Sequence, residues 1–345
     1  MSDPKQTRKG RALVTGGAGF MGSHLAEILV GRGHEVTVLD DLSGGFRENV
    51  VSGARLVEGS ITDDALVKRL FDADRYDYVF HLAAYAAEGL SHFIKKFNYE
   101  NNLIGSVNLI NAAVNHEVKC FVFTSSIAVY GANQVPMTEE MEPRPEDPYG
   151  IAKLAVEQEL RVSHEMFGLN YVVFRPHNVY GERQNIGDRY RNVVGIFMNL
   201  IMQGKPLAVF GDGEQTRAFT YIQDVAPVMA DAPFNPGALN QIFNVGADVP
   251  YTVNRLAEIV CSAMGVKPEV THLEARNEVK HAFSSHEKLH RVFGFTPRYS
   301  LEEGVERMAR WARGIGARRS KLFADVEILR NMPQSWRNEL EAGRR

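Results

Sequence analysis

The sequence predicts an α/β fold, in which a doubly wound parallel sheet is combined with a smaller, mixed α/β C-terminal lobe. In the first half, short apolar stretches with strand character alternate with helical stretches, which is typical of a parallel sheet covered on both faces. After about Pro176 the helices alternate with short strands and Gly/Pro turns, which indicates mixed structure.

The elements of the first half follow from their apolar patterns. Strands are expected at 12–14, 35–39, 55–58, 78–82 and 120–124, and helices at 25–30, 65–71 and 101–116. The Pro- and Glu-rich stretch 134–147 predicts a loop. Asp147-Pro148 is a typical N-cap with proline at the first helical position, so a helix over 149–167 and a strand at 171–174 should follow.

Composition limits the class of protein. The chain has 345 residues, of which 44% are hydrophobic, and a net charge of −3. This balance predicts neither a nucleic-acid partner nor an anionic membrane surface. No stretch approaches the ~20 apolar residues that span a bilayer, and the polar N-terminus does not resemble a signal peptide. Cys120 and Cys261 lie far apart, so we expect no metal site, no disulfide framework and a cytoplasmic location.

The stretch 15–22 (TGGAGFMG) follows the first strand and opens a helix. Gly16, Gly19 and Gly22 let the backbone turn tightly and approach a pyrophosphate, and the helix N-terminus offers it free N–H groups. Asp40-Asp41 ends the next strand, where a carboxylate accepts hydrogen bonds from ribose hydroxyls and repels a 2′-phosphate. The pattern predicts a Rossmann-type dinucleotide site that prefers NAD to NADP.

Further residues fall at carboxyl ends of the predicted strands, where ligands of open parallel sheets bind. Ser60-Ile61 follows the third strand, and Leu82-Ala83-Ala84 follows His81 at the end of the fourth. We expect both segments to line the cofactor, with the small Ala83 and Ala84 lying against it.

Tyr149 and Lys153 are spaced i, i+4 at the start of a helix, and Ser126 follows the fifth strand. Removing a proton from a secondary alcohol while hydride leaves its carbon requires a base near neutral pH, whereas free tyrosine titrates near ~10. A neighbouring ammonium and an oxidised nicotinamide should lower the pKa of Tyr149. We predict Tyr149 as acid/base, Lys153 as its partner and a ligand of the nicotinamide ribose, and Ser126 as a hydrogen-bonding helper.

With these motifs the chain resembles the extended short-chain dehydrogenase/reductases, specifically the NAD-dependent nucleotide-sugar epimerases of the UDP-glucose 4-epimerase type. Besides 15–22, the matching segments are DDLSGG (40–45), HLAA (81–84), NNLIGS (101–106), TSSIAVYG (124–131), YGIAK (149–153), RPHNVYG (175–181) and FGDGEQTRAFTYIQDV (210–225). The resemblance covers roughly residues 10–312.

The resemblance implies a division of the chain. Residues 10–176 should form the NAD-binding domain, with a later return at about 215–250. Residues 177–315 should mainly bind the nucleotide sugar, and 316–345 form a C-terminal extension without an assigned role.

It also implies two sets of contacts. The residues expected to contact NAD, besides those above, are Phe20, Met21, Ser43, Gly44, Asn101, Ser125, Pro176 and His177. The residues expected to contact the sugar nucleotide, besides Ser126 and Tyr149, are Asn178, Asn192, Val193, Phe210, Arg217, Arg276 and Glu278. The two arginines suit a diphosphate because guanidinium binds its oxygens in a bidentate way.

The chain departs from the family pattern at several places. Ser60 replaces an aspartate that meets adenine, Ala218 and Ser285 each replace an aspartate, and His177 is unusual at its position. We therefore expect a weaker contact with adenine than the family pattern implies.

Relatives with this fold differ in what they do to a 4-keto sugar. Dehydratases have an Asp-Glu pair after the helper residue, uronate decarboxylases a glutamate, and 3,5-epimerases a nearby cysteine, whereas here Ile127-Ala128 follows Ser126. The residues after Ser126 therefore favour inversion at C4 of the sugar. The resemblance implies a UDP-hexose as substrate and a homodimer formed through the helices at 101–116 and 149–167.

Several alternatives stay open at this point. They are a UDP-glucuronate or UDP-N-acetylhexosamine 4-epimerase, a C2 epimerase, a dehydratase with displaced acids, a reductase, and a non-catalytic NAD-binding protein. Arg183, Arg189 and Arg191 would suit a carboxylate at C6.

Overall fold

The computed structural model describes residues 9–132, 134–188, 190–275, 279–319 and 323–343. Its centre is a seven-stranded, fully parallel sheet with the order β11-β6-β5-β4-β1-β2-β3. The strands are β1 (Arg11–Thr15), β2 (Glu35–Asp40), β3 (Ala54–Glu58), β4 (Tyr78–His81), β5 (Cys120–Thr124), β6 (Tyr171–Pro176) and β11 (Gln241–Val245). The predicted doubly wound sheet is confirmed.

Helices cover both faces of this sheet. Alternate residues of β1 enter different cores: Ala12 and Val14 join one, and Leu13 joins the other. The first core includes α1 (Phe20–Gly31) and α8 (Ile222–Asp231), and the second includes α2 (Asp64–Ala73), α5 (Gly105–Asn115) and α6 (Pro148–Phe167). Strands buried on both faces are what a parallel sheet requires.

The predicted elements differ from the structure mainly at their ends. Residue 82 lies just beyond β4, and the helix expected over 101–116 begins as a π-helical turn, Glu100–Ile104, before α5. Two short helices, α3 (Glu88–Ser91) and α4 (Lys95–Tyr99), precede that turn. Asp147 caps α6 as expected, because its Oδ1 accepts from Gly150 N at 2.9 Å.

The second lobe packs three helices together: α7 (Val193–Met202), α9 (Val253–Met264) and α11 (Leu301–Ile315). Its short strands form three small sheets. They are β7 (Val179–Tyr180), β8 (Leu207–Phe210), β9 (Thr216–Ala218), β10 (Thr220–Tyr221), β12 (Pro250–Thr252), β13 (Val270–Leu273) and β14 (His281–Ala282). Helix α10 (Glu287–Phe293) lies against β11, and α12 (Gln334–Gly343) belongs to the C-terminal extension. Among the described helices, none combines the length and apolar character that crossing a bilayer needs.

One ion pair is buried where α6 meets the sheet. Arg175 on β6 donates to Glu157 on α6 through Nε at 2.9 Å and through a terminal nitrogen at 2.5 Å, and both side chains are at most 2% exposed. The Ser125 hydroxyl donates to the same carboxylate at 2.5 Å. Burial by itself would lower the pKa of Arg175, but the Glu157 carboxylate holds that pKa above its usual range. This pair ties α6 to β5 and β6.

We expect Glu157→Gln to destabilise the fold by about 3–5 kcal/mol, because it leaves the Arg175 charge buried without its partner. The matched control is Glu165→Gln on the same helix, whose pair with Arg161 is about half exposed and should be worth at most about 1 kcal/mol. Urea denaturation of both variants measures the difference. Equal losses would contradict a structural role for the buried pair.

Candidate active site

A single cleft of about 2660 Å³ opens between the carboxyl edge of the sheet and the second lobe. Every site residue predicted from the sequence lines it, except Arg276 and Glu278, which lie outside the described residues. Its volume exceeds the 300–1,000 Å³ typical of a site for one small ligand. The cleft therefore has room for a dinucleotide and a second nucleotide-sized ligand.

The glycine turn forms a cradle that side chains would fill. Gly16 has φ of +71°, and a Cβ there would lie 2.7 Å from the backbone N of Ala83. A Cβ on Gly22 would lie 2.2 Å from the carbonyl oxygen of Gly16. The α1 N-cap, Gly19, provides no side-chain cap, so the first N–H groups of α1 face the cleft as a pyrophosphate site requires. The residues fit a dinucleotide.

Asp40 and Asp41 both line the cleft, but they differ in burial. Asp40 is 7% exposed, and its carboxylate accepts from Ala18 N at 3.0 Å and Leu42 N at 2.8 Å. Burial raises the pKa of Asp40, and these backbone bonds oppose that rise. Asp41 is exposed and accepts from Ser43 through both N and Oγ. The ribose contact stays a prediction for both.

The three predicted catalytic side chains meet at the end of β5. Ser126 lies beside the Tyr149 phenol, close enough to oppose the rise in its pKa. Lys153 Nζ lies 5.7 Å from the centroid of the Tyr149 ring and donates to the carbonyl of Thr124 at 2.7 Å. Both Tyr149 and Lys153 are buried. The side chains are thus placed to act on one ligand hydroxyl.

The expected lowering of the Tyr149 pKa is not produced by the protein's own groups. Burial raises the pKa of Tyr149, and Glu88 adds to this, while Ser126 and Arg191 oppose it. Burial also lowers the pKa of Lys153 to about 7, with Glu157 opposing. The lowering that we predict includes the positive charge of an oxidised nicotinamide, so it stays a prediction for the NAD complex.

A buried histidine lies beneath the cofactor side of the cleft. His81 contacts Thr15 Oγ1 through Nδ1 and Ser106 Oγ through Nε2, each at 2.8 Å. Because the Ser106 hydroxyl donates to the carbonyl of Asn102, it accepts from Nε2–H, and His81 is neutral with Nδ1 as acceptor. Burial, with Lys153, holds the pKa of His81 well below its usual value.

The predicted substrate residues lie on the opposite wall. Asn178 and Asn192 have φ of +42° and +66°, and their amides donate to the carbonyls of Ala218 and Val179 respectively. Val193 and Phe210 line the same wall. The Arg217 guanidinium donates to the carbonyls of Val279, Lys280 and Thr216. Its binding of phosphate stays a prediction.

His177 does not offer a free nitrogen to a ligand. Its Nδ1 donates to the carbonyl of Ala218 at 3.0 Å, and its Nε2 lies 3.0 Å from His286 Nε2. His286 in turn contacts Asp248 Oδ1 at 2.6 Å. Burial, together with His286, lowers the pKa of His177 to about 3. This series of contacts links β6, β9 and β11 to the segment before α10. His177 therefore positions the wall of the cleft that carries Arg217.

Sequence reasoning named Arg191 but missed Tyr85 and Asp188, which line the cleft with it. Arg191 pairs with Asp188, with Nε to Oδ2 at 2.7 Å, and its guanidinium lies 5.0 Å from the centroid of the Tyr85 ring. Arg183 instead donates to Glu27 and does not line the cleft. Arg189 lies outside the described residues. Of the three arginines considered for a C6 carboxylate, Arg191 is the one that the structure places in the cleft.

A parallel sheet with this glycine cradle and a Ser–Tyr–Lys set at the end of β5 defines an enzyme of the short-chain dehydrogenase/reductase class. The chain belongs to the NAD dependent epimerase/dehydratase family, whose model matches residues 12–246. NAD is therefore its cofactor.

Named relatives lie within this family. A "putative UDP-glucose 4-epimerase" of Methanocaldococcus jannaschii is 31% identical, over 87% of this chain and 98% of its own length. A "UDP-N-acetyl-alpha-D-glucosaminuronate decarboxylase" of Bacillus cytotoxicus is 31% identical, over 89% and 99%. The structure of UDP-glucose 4-epimerase with UDP-glucose from Thermotoga maritima has a TM-score of 0.85 and 36% identity, covering 88% of this chain and 99% of that one.

We expect the buried His177 to make the protein less stable as the pH falls from about 6.5 towards 3. In that pH range His177 binds a proton in the unfolded state but stays neutral in the folded state, because its pKa in the folded state is about 3. His177→Gln should reduce the slope of unfolding free energy against pH by up to about 1.4 kcal/mol per pH unit.

The control is His272→Gln, because His272 is exposed. Urea denaturation of each protein between pH 4 and 7 gives the slopes, with all buffers at about 0.15 M ionic strength. A slope in the His177 variant equal to that of the unaltered protein would contradict the assignment.

Proposed function

We propose that the protein is a UDP-hexose 4-epimerase that inverts C4 through a transient 4-keto sugar. The observation that carries this proposal is the convergence of Ser126, Tyr149 and Lys153 in the cleft, with the serine beside the phenol and the ammonium 5.7 Å from the centroid of its ring. Family membership and relatives named as UDP-glucose 4-epimerases support it.

Tyr149 and Ser126 act in different ways on the same sugar hydroxyl. Tyr149 removes the proton of the C4 hydroxyl, and Ser126 holds the same oxygen by a hydrogen bond. When bound, NAD accepts the C4 hydride and later returns it. The ketose rotates between these two events, so the hydride arrives on the opposite face while Tyr149 gives its proton back to O4.

The environment of Tyr149 suits the second half of this cycle. Burial and Glu88 favour the neutral phenol, which is the form that donates a proton to the keto oxygen. Proton removal needs the phenolate, which a cation beside the ring stabilises. Lys153 is held 5.7 Å from that ring by the Thr124 carbonyl. With a pKa of about 7, it carries charge over part of the neutral range.

Inversion at C4 needs no additional acid, and the residues after Ser126 provide none. Ile127 and Ala128 line the cleft beside it. A second candidate function is dehydration with a displaced acid, favoured by Glu88, a carboxylate that lines the cleft and is close enough to raise the pKa of Tyr149. NMR of the products from UDP-glucose separates the two, since a dehydratase yields a 4-keto-6-deoxy sugar and an epimerase yields UDP-galactose.

We also propose a homodimer through the predicted helices. Five of the exposed large hydrophobic residues lie on α6 and the turn before α5: Ile104, Ile151, Val162, Met166 and Phe167. The two elements pack against each other, so these side chains border one surface. An apolar patch of this kind on a solvent face marks a protein interface.

Tyr149→Phe should lower kcat by about 10²–10⁴-fold while NAD stays bound, because only the phenolic proton carrier is removed. The assay resolves UDP-glucose and UDP-galactose by NMR and measures NAD in the purified protein. Tyr251→Phe, outside the cleft lining, is the matched control. Unchanged turnover in Tyr149→Phe would contradict its role as acid/base, and no turnover in the unaltered protein would point to a non-catalytic NAD-binding protein. Net NADH accumulation in the unaltered enzyme would rule out epimerisation.

Met166→Asp combined with Ile151→Asp should convert the dimer to monomers, because two charges would enter an apolar interface. Light scattering after gel filtration measures the mass. Val266→Asp with Val270→Asp, at exposed positions away from α6, is the control. A monomeric unaltered protein would contradict the proposed dimer.

A further inference from the structure

The C-terminal segment, defined here as residues 316–319 and 323–343, lines the same cleft as the predicted cofactor residues. Arg318, Arg330, Met332 and Trp336 are among the residues that it contributes to the wall. The segment leaves α11 in the second lobe and ends as α12 against α3 and α4 of the first. It therefore crosses from one lobe to the other at the mouth of the cleft.

The first attachment is made by Arg318. Its backbone N donates to Asn199 Oδ1 at 2.8 Å and its carbonyl accepts from Asn199 Nδ2 at 3.0 Å, which fixes it to α7. Its guanidinium lies 3.9 Å from the centroid of the Phe46 ring and donates to Glu48 at 3.1 Å. One residue thus links the second lobe to the loop that follows β2.

That loop is part of the dinucleotide cradle. Phe46 N donates to the Ala18 carbonyl at 2.9 Å, and the Asn49 amide donates to the same oxygen at 3.1 Å. The loop also carries Ser43 and Gly44, which line the cleft. Arg318 therefore links the two lobes at the end of the cleft that Asp40 and Asp41 line.

The second attachment lies at the opposite end. Glu327 accepts from the backbone N–H groups of Lys96 at 2.8 Å and Phe97 at 2.9 Å, at the start of α4. The backbone N–H groups of Glu327 and Ile328 both donate to the carbonyl of Phe93.

Trp336 completes this attachment. It is 6% exposed and packs edge-on against Phe93 of the first lobe and Tyr190 of the loop that carries Arg191. Its ring also lies 3.7 Å from the position of a Cβ on Gly89, next to Glu88. This end of the segment lies on the side of Tyr149, where the nicotinamide is expected.

We propose that the C-terminal segment retains NAD in the cleft by bridging the two lobes at both ends of the dinucleotide site. With both attachments made, a bound dinucleotide cannot leave by this mouth until one of them separates. An enzyme that gives a hydride back to the sugar it came from gains from such retention, because a cofactor lost in midcycle leaves a ketose behind. The inference rests on NAD binding and does not depend on which sugar is used.

The test measures the rate at which NAD leaves the full-length protein in the absence of sugar. Protein loaded with radiolabelled NAD is diluted into excess unlabelled NAD and sampled by rapid filtration. Arg318→Ala and Trp336→Ala should each raise the dissociation rate by about tenfold or more, since such changes act mainly on dissociation. Leu329→Ala, a segment residue that is 46% exposed and outside the cleft lining, should leave the rate unchanged.

Thermal melting of each variant shows that the fold is retained. If Trp336→Ala does not fold, Glu327→Gln replaces it, with Glu306→Gln on exposed α11 surface as its control. Unchanged rates in the variants of both attachments, or an equal acceleration by Leu329→Ala, would overturn the proposal. Because no sugar is present, either result leaves the proposed C4 epimerisation to its own test.

Discussion

The active-site arrangement depends on the buried pair between Glu157 and Arg175. Tyr149, Lys153 and Glu157 follow one another at intervals of four residues, so one face of α6 carries the proposed acid/base, the lysine beside it and the anion that fixes the helix. A buried carboxylate is costly unless it is paired. The pairing sets the rotation of α6 against β5 and β6, and thereby aims the phenol at the Ser126 hydroxyl.

Much of the sheet and the cofactor side of the cleft followed from the sequence. Gly16, Gly22 and Asp40 have a local physical reason for their identity, and the Asp147-Pro148 cap marks the start of α6 within one residue. These signals depend on residues that are close together in the sequence, so they can be recognised from a single sequence. The site residues of the second lobe were predicted from the family resemblance, because their motifs give little local physical reason for a role in binding.

What could not be predicted depends on contacts between residues far apart in the chain. His177 meets His286 across 109 positions, and Arg318 meets Glu48 across 270. Burial of the Tyr149 phenol, which raises its pKa, likewise depends on the assembled cleft. No periodicity in the C-terminal extension reveals that Glu327 and Trp336 have partners on α4 and on the loop near Arg191.

The π-helical turn at Glu100–Ile104 has a consequence for the evolution of the chain. It accommodates one extra residue, so that neighbouring asparagines serve different purposes: Asn101 faces the cleft, while Asn102 holds the backbone of Tyr85. Losing that residue would rotate α5 by about 100° relative to what precedes it. Ser106 would then leave His81, so insertions and deletions here should be rarer among descendants of this gene than substitutions.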